Sequence, residues 1–187
     1  MNDCSRNTTD DSVALCRRAM DLLGWEGAVI PSLDLLGSRV CVVASLNMRE
    51  HEHRQEAGIG AITDPWMLEL HEGPTSERVA QWRASPVRIV GVLALRQMWR
   101  SALTTASGFA AFSSRAVVLP SRQALNRRLG LEASLCGVGI LARGPQGLAL
   151  VHRPEPGSAR HAERSLARRH VEETVYERLM ANLISAV

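Results

Sequence analysis

The sequence contains no lysine, and all 22 of its basic residues are arginine. That absence removes every mechanism built on a lysine amine, including Schiff-base chemistry and the phosphate-binding lysine of a P-loop. Its four cysteines, Cys4, Cys16, Cys41 and Cys136, include no Cys-x-x-Cys pair, so neither a disulfide framework nor a zinc cluster is supported. Cys16, Cys41 and Cys136 lie among apolar neighbours and are expected to be buried packing thiols. No apolar run approaches the ~20 residues that span a bilayer. The first residues carry Asp3, Asp10 and Asp11 in place of the basic and apolar stretches of a signal peptide, so a cytoplasmic protein without a membrane partner is expected. There is no Gly-x-Ser-x-Gly nucleophile elbow and no glycine-rich phosphate loop.

The 187 residues, 45% hydrophobic and 22% charged, suit a single compact domain. An arginine-only composition rich in alanine and glycine points to a GC-rich bacterial genome. The net charge of +3 conceals an uneven distribution. Residues 1–86 hold 8 arginines against 13 carboxylates, residues 87–154 hold 9 arginines against Glu132 alone, and the remainder balances at 5 and 5. A basic middle of this kind attracts phosphate or an acidic partner.

Hydrophobic spacing predicts a helix over Val13–Leu23, capped within Thr9–Ser12 and stopped at Gly24. Strands are predicted at Glu26–Leu33 and Arg39–Leu46, with a turn at Gly37-Ser38 between them. Residues 47–86 read as an insertion or lobe, with a short strand at Met67–His71 and a short helix at Ser76–Arg83. A central strand covered on both faces follows at Val87–Leu95, then a helix over Met98–Phe112 and a buried strand at Ala116–Leu119. A helix over Arg122–Leu129 is expected to stop at Gly130. Val138–Ala142 and Leu148–His152 form two strands about a Gly144-Pro145-Gln146-Gly147 turn. A long terminal helix from about Ala159 carries a stripe of Val171, Val175, Leu179 and Leu183.

Three segments carry a resemblance: Trp99-Arg100-Ser101-Ala102-Leu103, Ala116-Val117-Val118-Leu119-Pro120 and Gly137-Val138-Gly139-Ile140-Leu141. With the element order, they resemble small bacterial putative endonucleases of the restriction-endonuclease-like, PD-(D/E)xK nuclease superfamily. The likeness covers residues 87–154 and, more loosely, 12–46. It implies an α/β fold with a three-layer core, a central mixed sheet flanked by helices, an insertion near 47–86 and a long C-terminal helix. In such nucleases an Asp on one strand and a Glu on the next bind Mg²⁺, and a Lys stabilises the attacking water or developing charge. The Asp position falls here on Cys41, and the Glu and Lys positions fall on Leu93 and Leu95. Two leucines and a thiol supply no hard oxygen ligand. The resemblance therefore implies a pseudoenzyme with a degenerate site, no catalytic residues, no metal and no cofactor.

Arg96, Arg100, Arg115, Arg122, Arg127 and Arg128 follow the central strands, where the resemblance implies a phosphate-contacting face for DNA or RNA. A solvated face on an arginine-biased protein is the blander alternative. A protein–protein or homodimer module, using the insertion and the terminal helix, is the second functional reading. A third is an active phosphodiesterase in which Asp64, with Glu69 or Glu72, restores a carboxylate pair. His51-x-His53 with Glu50, Glu52 and Glu56 offers zinc-type ligands, although a charged loop explains it as well. Trp25, Trp66 and Trp82 are candidates for base stacking. Burial or a protein interface is nevertheless expected for these three and for Trp99.

Overall fold

Helix α1 (Cys4–Leu23) closes where Trp25 N–H reaches back to the Met20 carbonyl and Gly24 N–H to that of Asp21, satisfying carbonyls that a helix end otherwise leaves open. The computed structural model describes the backbone of residues 4–72, 84–157 and 165–184, and the side chains of 11–70, 84–157 and 165–183. The predicted stop at Gly24 holds. The predicted start does not, because residues 9–12 lie within the helix.

The remaining elements are β1 (Ala28–Leu35), β2 (Ser38–Leu46), α2 (Met48–Glu56), α3 (Pro65–Glu72), β3 (Val87–Leu95), α4 (Trp99–Ser107), β4 (Ser114–Pro120), α5 (Ser121–Ala124), α6 (Arg127–Cys136), β5 (Val138–Gly144), β6 (Gly147–His152) and α7 (Leu166–Ile184). The strands form one six-stranded mixed sheet in sequence order. Strands β1, β2 and β3 make an antiparallel meander, β3, β4 and β5 run parallel through helical crossovers, and β6 returns antiparallel. Among the described residues no helix is long and apolar enough to cross a membrane.

Period-two alternation sends each strand's apolar residues to two faces. On one face Cys41, Val43, Leu93, Ala116, Val118 and Leu141 pack beneath Cys16, Ala19 and Leu23 of α1. On the other, Val117, Leu119, Val138 and Ile140 meet α4 and α6. There too Ile30, Val40, Val42 and Val92 meet Val171, Val175 and Leu179 of α7. Coverage on both faces explains why β3 to β5 read as nearly continuous apolar runs.

Five further expectations need correction. The helix expected over Met98–Phe112 spans only Trp99–Ser107, with Gly108 at its C-cap. Met67–His71 lies in helix α3, not a strand, because Asp64 caps it: its Oδ1 accepts from Met67 N at 2.9 Å. The helix expected to stop at Gly130 instead breaks earlier, at Leu125-Asn126. It restarts as α6, capped by Asn126, and runs through Gly130 to Gly137, which takes the left-handed conformation (φ +65°). One interior glycine costs a helix only about 1 kcal/mol, less than the buried packing of Leu129 and Ala133 returns. Cys136 is exposed at the end of α6 and is not a packing thiol. Leu183 is half exposed, so the α7 stripe is buried only through Leu179. The helix expected at Ser76–Arg83, with Trp82, and the start of the terminal helix near Ala159 lie outside the described residues.

Candidate functional site

Cys41 and Leu93 are direct cross-strand partners on β2 and β3, and Leu95 is two residues further along the same face. The three positions assigned to the metal centre are therefore neighbours. They are also filled: Cys41 and Leu93 are fully buried under α1, and Leu95 packs against the same cluster. A hydrogen bond with Cys16, together with burial, pushes the Cys41 thiol well above its ordinary range, so it presents no thiolate. Ala116 and Val118 on β4 complete an aliphatic floor with no oxygen ligand.

The carboxylate route by way of Asp64 meets a geometric obstacle. Helix α3 packs against α7, and α7 lies on the sheet face opposite Cys41, Leu93 and Leu95. Asp64 is engaged as the α3 cap. His51 and His53 also point apart, as residues two positions along a helix must. His51 is buried with Nδ1 2.9 Å from the Tyr176 hydroxyl, whereas His53 is exposed. Among the described residues no group of three or more His, Cys, Asp or Glu side chains is arranged to hold a metal ion.

The arginines divide by location. Strands β3, β4 and β5 are parallel, so their carboxyl ends share one end of the sheet. Arg96 leaves β3 there, with Nη1 donating to the Leu95 carbonyl at 3.1 Å. Arg100 lies in the first turn of α4, its guanidinium 5.3 Å above the Trp99 ring. Arg122 lies in α5, and Arg127 and Arg128 open α6. Arg100, Arg122 and Arg127 are exposed and make no ion pair among the described residues, while Arg128 pairs with Glu132 at 2.8 Å. Arg115 does not belong with them. It stands at the start of β4, at the other end of the sheet, where Nη2 donates to the Cys136 carbonyl at 2.9 Å and burial lowers its pKa. Sequence reading missed Arg143, which ends β5 beside Pro120 and joins the carboxyl-end group. Its position just before the Gly144-Pro145 turn was the available signal.

These helices share an electrostatic peculiarity. A helix N-terminus carries partial positive charge and favours acidic residues by about 0.3–1 kcal/mol each. Yet α4 and α6 have no acidic residue in the first turn and place arginines there instead, Arg100 in α4 and Arg127 and Arg128 in α6. The α4 N-terminus has no side-chain cap either. At α4 open amides, the helix dipole and a guanidinium group thus coincide, whereas the first amides of α6 are taken by Asn126.

A second arginine cluster is built the opposite way. Arg54, only 1% exposed, donates through Nη1 and Nη2 to the two carboxylate oxygens of Glu173, at 2.9 and 2.8 Å, and through Nε to Glu50 at 3.1 Å. Glu173 also accepts from the Ile62 amide at 3.0 Å and is approached by Arg169 at 3.4 Å. Tyr176 lies beside the Arg54 guanidinium, 5.5 Å from ring centroid to carbon. This network joins α2 and the following loop to α7. Nothing in the hydrophobic pattern announced it. Its only trace was the four-residue spacing of Glu50 with Arg54 and of Arg169 with Glu173.

No protein family, curated protein or solved structure matches the chain.

Proposed function

We propose that the chain is a catalytically degenerate, restriction-endonuclease-like domain that binds the nucleic-acid backbone through the arginines at the carboxyl end of its parallel strands. The observation that carries this reading is the inverted charge at the starts of α4 and α6. Placing Arg100, Arg127 and Arg128 where the helix dipole disfavours them destabilises the free protein slightly, and a bound phosphate reverses the sign of that interaction. Local rules are broken most readily at functional sites. The carboxyl ends of parallel strands are also where open α/β sheets bind ligands. The element order and the side-by-side Cys41 and Leu93 support the nuclease-like register, since two carboxylates at those positions could share one metal. The aliphatic packing around them supports binding without cutting.

A mobility shift with duplex and single-stranded DNA at low salt tests this reading. Retarded complexes with uncut DNA in Mg²⁺ or Mn²⁺ are expected. Metal-dependent cleavage, or no complex at low salt, overturns it. A second reading, docking onto a protein partner or a second copy, draws on one observation: Trp66, Met67 and Leu70 of α3 are 73%, 53% and 70% exposed. Light scattering with Trp66→Ser as the control tests self-association.

A further inference from the structure

The opposite end of the sheet holds a cleft of about 400 Å³, within the range of small-molecule sites. Its walls come from distant parts of the chain: Trp25 after α1, Arg88 and Val90 on β3, Phe112 before β4, and Arg153 after β6. Close backbone approaches fix two of these walls. Trp25 lies so tightly over Gly91 that a Cβ there would stand 2.3 Å from the indole ring, and Gly157 meets the Ser113 backbone as closely. The cleft is thus built from ordered core contacts.

Its charge is one-sided. Three arginines line it, Arg88, Arg153 and Arg168, and no carboxylate among the described residues does. Arg168 is already engaged by Glu172 at 2.9 Å and by the Ala111 carbonyl at 3.1 Å. Arg88 makes one long contact, 3.4 Å to the Ser45 hydroxyl, and Arg153 makes no hydrogen bond or ion pair among the described residues. Two guanidinium groups are therefore available beside a largely apolar wall. A concave site lined by charge of one sign focuses its field more than open surface does. Nucleic acid held at the carboxyl end does not account for them. Arg88 and Arg96 are separated along β3 by about 26 Å, at roughly 3.3 Å per residue.

We infer that this cleft binds a small organic anion, a phosphate or carboxylate group on a flat apolar body, with the anionic group on Arg88 and Arg153 and the body against Trp25 and Phe112. This site is independent of the nucleic-acid reading. Anilinonaphthalene sulfonate fluorescence tests it, using adenosine monophosphate and indole acetate as anionic competitors and adenosine and indole as their neutral counterparts. Saturable dye binding is expected, displaced by at least one anion and by neither neutral compound. The effective anion identifies the source as phosphate or carboxylate. Arg88→Ala with Arg153→Ala weakens binding by at least about tenfold, the scale of one lost charge-assisted hydrogen bond. Arg96→Ala with Arg100→Ala leaves it unchanged. Arg88 and Arg153 are exposed, and unaltered thermal melting verifies that their substitution preserves the fold. The inference is overturned if neither anion displaces the dye, if the neutral compounds compete equally, or if the Arg88/Arg153 variant binds like the parent.

Discussion

Arg54 and Arg100 are the same residue type in opposite circumstances. Arg54 is buried between α2 and α7, bidentate to Glu173 and bonded to Glu50. Arg100 stands exposed at the start of α4, with only the Trp99 ring beneath it. Around Arg54 charges follow helix electrostatics: α2 has Glu50 in its first turn and His53 and Arg54 in its last. Around Arg100 they oppose it. Helix α7 also begins with arginines, Arg168 and Arg169, each answered one turn later by Glu172 or Glu173 as Arg128 of α6 is by Glu132, but the α7 pairs are largely buried and the α6 pair is exposed. What separates the structural Arg54 from the arginines proposed to bind is therefore burial and partners, not their place in a basic sequence.

The largest expected effect lies in the buried cluster. Glu173→Ala strands the Arg54 guanidinium without its main partner and should lower stability by about 3–5 kcal/mol, measured by urea denaturation. Arg122→Ala at the open end should change stability by no more than about 0.5 kcal/mol. Similar losses at both sites would erase the distinction.

Tyr176→Phe removes the hydroxyl 2.9 Å from His51 Nδ1 and should cost about 1 kcal/mol. Burial raises the Tyr176 pKa above the ordinary 10.0. The unfolded chain then loses this proton before the folded one, so the stabilisation is complete below pH 10 and declines as pH rises through the folded pKa. Denaturation midpoints followed into the alkaline range should fall less steeply in Tyr176→Phe than in the parent.

A smaller effect of opposite sign is expected at α6. Arg127→Glu puts an acid at the helix N-terminus and should raise stability by about 0.3–1 kcal/mol while weakening nucleic-acid binding. A variant that gains neither would show that the inverted charge has no energetic consequence. The smallest effect belongs to Arg39, whose pair with Asp34 is fully open to solvent: Arg39→Ala should leave the thermal midpoint unchanged.

Period-two and helical patterns in the sequence located most elements because both faces of the central sheet are packed, so strands β3 to β5 carry nearly continuous apolar runs. Val87–Leu95 coincides with β3 to the residue. Patterns failed where a polar side chain decides the outcome. Asp64 turned an expected strand into α3, and Asn126 divided one expected helix into two. The carboxyl-end arginines were legible because they lie in or just before the helices that follow β3 and β4. Arg115 stands apart because it lies at the start of β4, and only the parallel pairing of β3, β4 and β5 shows which end of the sheet that is. The Arg54–Glu173 contact spans 119 residues, so no local pattern could have revealed it.

The central claim is most directly tested by the salt dependence of binding, measured by fluorescence anisotropy with a labelled DNA duplex for the parent chain and for Arg96→Ala with Arg100→Ala. Each lost phosphate contact removes about 0.9 from the slope of log affinity against log salt. The expected result is a slope shallower by about 2 in the variant, with its thermal midpoint unchanged. An identical slope in the two proteins would contradict the assignment of the carboxyl-end arginines to the nucleic-acid backbone.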